Sequence, residues 1–229
     1  MNMALHKLSE TIYYTDYEEL RDRPSLGYIK GKNFSVAVDA GHSDAQVREF
    51  YEFLSEEGLP LPELTLITHW HWDHSFGMHA INGLSVTNRK TDRHLKDFID
   101  TFNEETKQKF LALDPSIAIE YKDDRPIIVK RADIVFDGSL KIDAGDTPII
   151  VFEAISPHTD DASLIYLPKE KVLFFGDALS GVFPTWIADP SLKRGFIETI
   201  EALDVDHCIG GHWPVFTKES LLKQLREED

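Results

Sequence analysis

Three histidines and an aspartate fall within the six residues 69–74 of Thr68-His69-Trp70-His71-Trp72-Asp73-His74. The whole chain has ten histidines, so imidazole is concentrated here. His69 and His71 are two apart just beyond an apolar run, and in extended backbone alternate side chains share a side. A pair of imidazoles on one side can bind one metal ion. Asp73 and His74 come where the chain must turn toward Ser75-Phe76-Gly77, and the turn aims them elsewhere, toward a second metal nearby. Neutral imidazole and carboxylate are the donor set of zinc, and they also suit iron and manganese. The competing reading is a run of histidines on a solvated loop.

Three further residues weigh against that loop. His158 follows Ile149-Ile150-Val151-Phe152-Glu153-Ala154-Ile155-Ser156-Pro157, Asp177 follows Val172-Leu173-Phe174-Phe175-Gly176, and His212 follows Cys208-Ile209-Gly210-Gly211. Each stands beyond an apolar strand, on a rigid edge. The glycines before Asp177 and His212 let backbone approach the site closely. A lone histidine after a strand is more often structural. In order behind the first cluster, these residues supply missing ligands. His79 and His94 are left outside the set.

The elements that must position these groups alternate between short strands and amphipathic helices. Phe34–Asp39 and Leu64–Thr68 read as strands. Between them Ser43 reads as an N-cap, with Gln46 three residues later, and Val47, Phe50, Tyr51 and Leu54 follow at helical spacing up to Gly58. One long helix is expected from about Asp92 to Leu113, with Leu95, Phe98, Ile99, Phe102 and Phe110 on one stripe and Pro115 ending it. Strands follow at Ile134–Phe136, Leu140–Ile142, Pro148–Ile155, Ser163–Leu167 and Val172–Phe175, with a turn at Asp137-Gly138. Asp189 and Pro190 open a helix whose buried face carries Leu192, Phe196, Ile197, Ile200 and Leu203. Asp206–Gly210 reads as a short buried strand, and a last helix covers roughly Lys218 to Glu227. Strands spread over both halves with helices between them suit sheets packed inside and helices outside.

The ordered set resembles the metallo-β-lactamase superfamily: an Asp-Gly strand end, HxHxDH, then a later His, an Asp and a last His. The match runs from about Phe34 to Pro214. The resemblance implies an α/β fold, a four-layer αβ/βα sandwich of two packed mixed β-sheets with helices outside. It makes residues 1–229 a single domain, with residues at about 90–125 a candidate helical cap over the site, a reading weighed evenly against an outer packing layer. It assigns His69, His71 and His158 to one metal, Asp73, His74 and His212 to the other, and Asp177 to a bridge between them. Asp39 matches a position that supports the ligand loop. One departure is Ser156-Pro157-His158-Thr159-Asp160-Asp161, where the family commonly has glycine before the histidine and Pro-Gly after the threonine. Asp160 and Asp161 read there as a solvated turn.

The chemistry implied is that of a binuclear metal-dependent hydrolase. Two divalent metal ions, zinc first with iron or manganese as alternatives, share a hydroxide that attacks a small carbonyl substrate: an ester, thioester or lactone. Asp73 doubles as a catalytic proton carrier. The alternatives are a phosphodiesterase and a non-hydrolytic di-iron protein that binds oxygen or serves redox. Residues that carry a glutathione-binding helical extension in related thioesterases are hard to find in the 17 positions after His212.

The four tryptophans are Trp70, Trp72, Trp186 and Trp213, and with Phe76 and Phe183 they lie close to the ligands in sequence. They suggest an aromatic-lined mouth for an apolar or flat substrate. Alternation with the histidines turns Trp70 and Trp72 away from the metals, so Trp186 and Trp213 are the better substrate contacts.

Composition narrows the partners. Of 229 residues, 24 are basic and 40 acidic, a net charge of −16. So acidic a surface repels phosphate backbones and argues against nucleic acid. The lone Cys208 allows no internal disulfide and reads as a buried structural thiol. No apolar run reaches membrane-spanning length and none near the start has signal-peptide length, so a cytoplasmic enzyme of a small molecule is expected.

Overall fold

The computed structural model describes residues 3–122 and 125–227. Its first sheet has seven strands in sequence order: β1 (Leu5–Lys7), β2 (Ile12–Thr15), β3 (Gly27–Lys30), β4 (Ser35–Val38), β5 (Leu64–Leu66), β6 (Leu84–Asn88) and β7 (Ile134–Phe136). The pairs from β1 to β4 are antiparallel, and those from β4 to β7 are parallel. The second sheet has six strands: β8 (Ser139–Asp143), β9 (Pro148–Glu153), β10 (Ser163–Leu167), β11 (Val172–Gly176), β12 (His207–Gly210) and β13 (Phe216–Thr217). Only β11 and β12 run parallel there. Asp137-Gly138 therefore carries the chain from one sheet to the other, and Gly138 takes φ 67° to do so.

Alternation along the strands decides what lies between the sheets. Ile29, Val36, Val38, Leu66 and Val86 face Ile149, Val151, Ile165, Val172 and Phe174 in one apolar core. The intervening residues face outward. Tyr28 and Ala37 meet Phe50 and Leu54 of helix α1 (Asp44–Glu56). Leu164, Leu173 and Phe175 meet Phe196 and Ile200 of α6 (Pro190–Ala202), and Leu221 and Leu225 of α7 (Lys218–Glu227). This is the four-layer sandwich expected, with helices on the outer faces. Among the described residues no helix is long and apolar enough to cross a membrane.

Local sequence explains the helix ends. Ser43 Oγ accepts from the backbone N–H of Ala45 and Gln46, capping α1. Gln46 does not close the box. Its side chain accepts from His42 N–H and donates to Pro24 O, tying the helix to the preceding loop. Asp189 caps α6 with Pro190 at the first position, as expected, but Leu192 on that helix is 39% exposed.

The single long helix expected over 92–113 is instead two, α3 (Arg89–Thr101) and α4 (Glu104–Leu111), followed by α5 (Pro115–Glu120). Asn103 interrupts the run, because its side chain caps α4 while Thr106 returns a bond to its backbone. Pro115 opens α5 rather than ending the previous helix, with Asp114 as the cap. Phe98 and Phe110 pack against Phe76 and Trp72 beneath the ligand loop.

Candidate metal centre

The parallel strands of each sheet bring their C-terminal ends to one edge. Asp39 follows β4, His69 follows β5, Asp177 follows β11 and His212 follows β12. The sheets are tied near that edge. Ser163 N–H donates to Thr68 O at 2.7 Å, and Ser25 N–H to Gly211 O at 2.7 Å. Asn88 Nδ2 donates to Asp161 O and Ser163 Oγ at 2.6 and 2.8 Å.

All seven residues singled out in the sequence converge there, in two groups. The first is His69, His71 and His158, and the second Asp73, His74, Asp177 and His212; within each group the donor atoms lie within 4.8 Å of one another. His71 Nδ1 is 3.1 Å from His69 Nε2 and 2.9 Å from His158 Nε2. His69 and His71 do share a side. Beyond His71 the chain turns into the short helix α2 (Trp72–Ser75), which swings Asp73 and His74 toward the second group. Asp73 Oδ2 is 2.9 Å from His212 Nε2 and 3.1 Å from His74 Nε2. Asp177 stands between the groups, with Oδ1 3.3 Å from His74 Nε2 and Oδ2 3.8 Å from His158 Nε2.

Surrounding groups aim these donors. Asp39 Oδ2 lies 2.7 Å from His74 Nδ1, and Oδ1 accepts from Thr68 N–H at 2.7 Å. Asp39 itself sits at φ 63°, a left-handed conformation that carboxylate residues adopt more readily than most. His158 Nδ1 is 2.8 Å from Gly181 O, which leaves Nε2 free to face the site. A side chain on Gly211 would put its Cβ 2.4 Å from Asp177 Oδ1 and 2.7 Å from His74 Cε1, so the absence of one makes room for both ligands.

The electrostatics differ between the groups. Burial, reinforced by the neighbouring His74, His71 and His158, holds His69 well below the ordinary histidine range. Burial and then His158 lower His71 to about 3. Both offer neutral imidazole, the form that binds metal. In the second group burial opposes charge on every member, yet attraction outweighs it. Asp73, Asp177 and Asp39 hold His74 well above its usual range, and Asp177 and Asp73 raise His212 to about 9. The two carboxylates in turn lie well below the ordinary carboxylate range through His74 and His212. Buried carboxylates that demand this much positive charge are matched by a divalent cation, which displaces the imidazole protons. His74 Nε2 and Asp177 Oδ1 are buried at an ion-pair distance of 3.3 Å but without the geometry of a hydrogen bond. A buried donor and acceptor left unsatisfied are costly. A shared cation satisfies both, so the residues fit a metal.

A cavity of about 320 Å³ opens onto both groups. His71, Asp73, His158, Asp177 and His212 form its floor. Trp72, Phe183, Trp186 and Trp213 supply aromatic walls, while Glu19, Asp22 and Asp114 stand among its polar lining. Trp186 and Trp213 are placed as expected. Trp72 is not turned away: β5 ends at Leu66 and α2 starts at Trp72, so strand alternation no longer sets its direction. Its indole Nε1–H donates to Asp22 Oδ2 at 3.0 Å. Trp70 does pack away from the cavity, stacked on His94 at 5.5 Å between centroids. Phe76 is in the core, 1% exposed.

Asp161 departs from the solvated turn expected of it. It is buried and accepts from Trp70 N–H at 2.8 Å, from Thr91 Oγ1 at 2.7 Å and from Thr159 Oγ1 at 2.5 Å. It thereby anchors the loop between His69 and His71. Asp160 is exposed and pairs with His94 at 2.7 Å. His79 bonds to Phe76 O and joins neither ligand group. From the helical segment at 89–120, only Asp114 and Ser116 at the start of α5 reach the cavity.

Sequence reasoning missed Glu19, Asp22, Asp114, Ser116 and Ser180 as cavity residues. Ser180 lies three residues past Asp177 and bonds to its carbonyl, while the other four carry no local signal and are far in sequence from the converging residues. Asp22 in a left-handed turn (φ 50°) beside Arg23 is the nearest to a clue.

The sequence pattern described as the metallo-beta-lactamase superfamily matches residues 22–212. An acyl-coenzyme A thioesterase of Homo sapiens is 22% identical over 227 residues, covering 90% of this chain and 79% of the human protein. Among solved structures, a metallo-beta-lactamase from Pontibacter korlensis superposes with a TM-score of 0.73 at 18% identity, covering 99% of this chain and 100% of its own. A metallo-beta-lactamase from Pseudomonas aeruginosa in its mono-zinc form gives 0.66 at 15% identity, covering 98% and 93%. The family pattern spans most of the chain and six of the seven converging residues lie before its last position, which is the seventh, His212. This chain belongs to the metallo-beta-lactamase superfamily.

Proposed function

We propose that this chain is a metal-dependent hydrolase that adds water to a small carbonyl substrate: an ester, a thioester or a lactone. The observation that carries the reading is the facing pair His74 Nε2 and Asp177 Oδ1, buried 3.3 Å apart without hydrogen-bond geometry, with Asp177 lining the open cavity. His69, His71 and His158 would hold one cation, and Asp73, His74 and His212 a second, with Asp177 placed beside both. When bound, divalent cations supply a water of lowered pKa and a Lewis acid for the substrate oxygen.

The chain's own residues prepare the rest. Asp39 fixes the orientation of His74, and Gly181 O that of His158. Asp73 presents a carboxylate to the cavity and is the candidate carrier of the proton released when water is consumed. The aromatic walls exclude solvent around an apolar portion of substrate. The likeness to a human acyl-coenzyme A thioesterase supports the thioester among the three bonds.

Metal content of the purified protein, set against a His69→Ala/Asp177→Ala variant, tests the reading together with turnover of esters, thioesters, lactones and bis(p-nitrophenyl) phosphate. Nearly two zinc ions per chain, lost in the variant, with hydrolysis of a carbonyl substrate, is expected. Absence of metal from both proteins after reconstitution would overturn the site. Iron with visible absorbance and no hydrolysis would put the redox alternative in its place, and turnover of the phosphodiester alone would make the enzyme a phosphodiesterase.

A further inference from the structure

We infer that the cavity selects substrates with a positively charged group, such as a quaternary ammonium, on the side away from the scissile carbonyl. The inference rests on reading this cavity as the substrate pocket of the hydrolase.

Charge is the first ground. None of the described residues that line the cavity is a lysine or an arginine. Beyond the ligands themselves, its charged residues are Glu19, Asp22 and Asp114. Away from the metal ligands, a phosphate, sulfonate or carboxylate on the substrate meets no cationic side chain, and a positive group meets these three carboxylates. The net charge of −16 adds a long-range field of the same sign.

Aromatic geometry is the second, independent ground. Trp72, Phe183 and Trp186 form a continuous wall. Phe183 meets Trp72 edge-on at 5.4 Å and 82°, and Trp186 edge-on at 5.5 Å and 77°. Trp186 lies parallel to the His158 ring at 9° and 6.1 Å and remains 57% exposed. Faces of tryptophan and phenylalanine attract cations through the ring quadrupole, and quaternary ammonium groups are recognised by such walls.

The two ends of the cavity thus differ in sign. Cations held by the ligand groups would draw the electron-rich carbonyl oxygen, and the carboxylates with the aromatic wall would receive the positive end. In hydrolysis of acetylthiocholine, water adds to the carbonyl carbon and the C–S bond breaks. Acetate and thiocholine leave, and one proton goes to solvent.

The test uses the zinc-loaded full chain and two measurements. One is kcat/KM for acetylthiocholine, for its uncharged analogue S-(3,3-dimethylbutyl) thioacetate, and for S-acetyl-2-mercaptoethanesulfonate. The other is quenching of tryptophan fluorescence by phenyltrimethylammonium, which needs no turnover. The cationic thioester should exceed the neutral one by about tenfold, with the sulfonate lowest. Phenyltrimethylammonium should quench saturably, and a Glu19→Gln/Asp22→Asn/Asp114→Asn variant should weaken it by about tenfold. The Asn replacements keep the acceptor for Trp72 and the cap of α5, so the fold is preserved. Turnover of all three thioesters at equal rates, or absence of saturable quenching, would overturn the inference and leave the hydrolase reading standing. Saturable quenching that the variant loses, without turnover of any thioester, would uphold the cationic pocket and remove the thioester from the three bonds proposed for the hydrolase.

Discussion

Gly211→Ala is the sharpest test of the second ligand group. The added methyl would lie 2.4 Å from Asp177 Oδ1, about 1 Å inside the 3.4 Å where ordinary contact begins. It would also meet His74 Cε1 at 2.7 Å. The backbone has little room to withdraw, because Gly211 N–H donates to Gly176 O at 2.9 Å and Gly211 O accepts from Ser25 N–H at 2.7 Å. The displacement therefore falls on the two ligands. Metal sites tolerate about 0.2 Å in ligand distance. A shift several times larger should empty the second position while His69, His71 and His158 keep theirs, so metal content should fall from about two ions per chain to about one. Misplacement by about 1 Å also costs roughly a hundredfold in rate where geometry is critical. Inductively coupled plasma mass spectrometry and steady-state kinetics on the same preparation read both effects. A Gly211→Ala variant that keeps both metals and full rate would refute the argument that this glycine makes room for ligands.

Other perturbations separate fold from site. Asp161→Ala removes the acceptor of three bonds and should cost about 1–3 kcal/mol in urea unfolding for each donor left buried, with loss of metal at His71, whereas Asp161→Asn should retain most of both. Arg23→Met takes from Glu120 the bonds of Arg23 Nε and Nη2 at 2.8 Å each, leaving it Arg125 Nη1 at 3.2 Å and Ser43 Oγ, and should cost at most about 3–5 kcal/mol; adding Glu120→Gln should recover part of it, and an equal loss in the double variant would contradict this account. Burial raises the Cys208 thiol to about 12, so thiolate is scarce below that pH and alkylation by iodoacetamide at pH 8 should be negligible in the folded chain and prompt in urea. Chelation at neutral pH should lower the melting temperature, since a cation bound to the folded state alone stabilises it; an unchanged melting point with the metal removed would count against the centre.

The convergence of the seven residues is legible in the sequence because much of its information is local. His69 and His71 share a side by strand alternation, and His158, Asp177 and His212 each follow an apolar run. The α1, α6 and α7 boundaries are legible for the same reason, through Ser43, Asp189-Pro190 and helical spacing. What escapes depends on competition or distance. The strands β1 to β3 are three or four residues long, too short to show a period. Asn103 reads as one polar position in a helical stripe, but its cap is worth more than continuing the helix. Asp161 reads as solvated because its partners Trp70 and Thr91 are 91 and 70 residues away. Strand alternation misplaces Trp72, since helix α2 replaces the strand where the periodicity argument stops.

Each sheet is built from one contiguous stretch of chain, and the passage between them is Asp137-Gly138. The donors divide at that point. His69 and His71 meet His158, and Asp73 and His74 meet Asp177 and His212. Neither half holds a complete group of candidate ligands, so a cation would be bound only when the halves are docked. Its binding free energy is then also docking free energy. A bound cation would act as a staple between the two sheets, and scarcity of metal would weaken their docking as well as the chemistry.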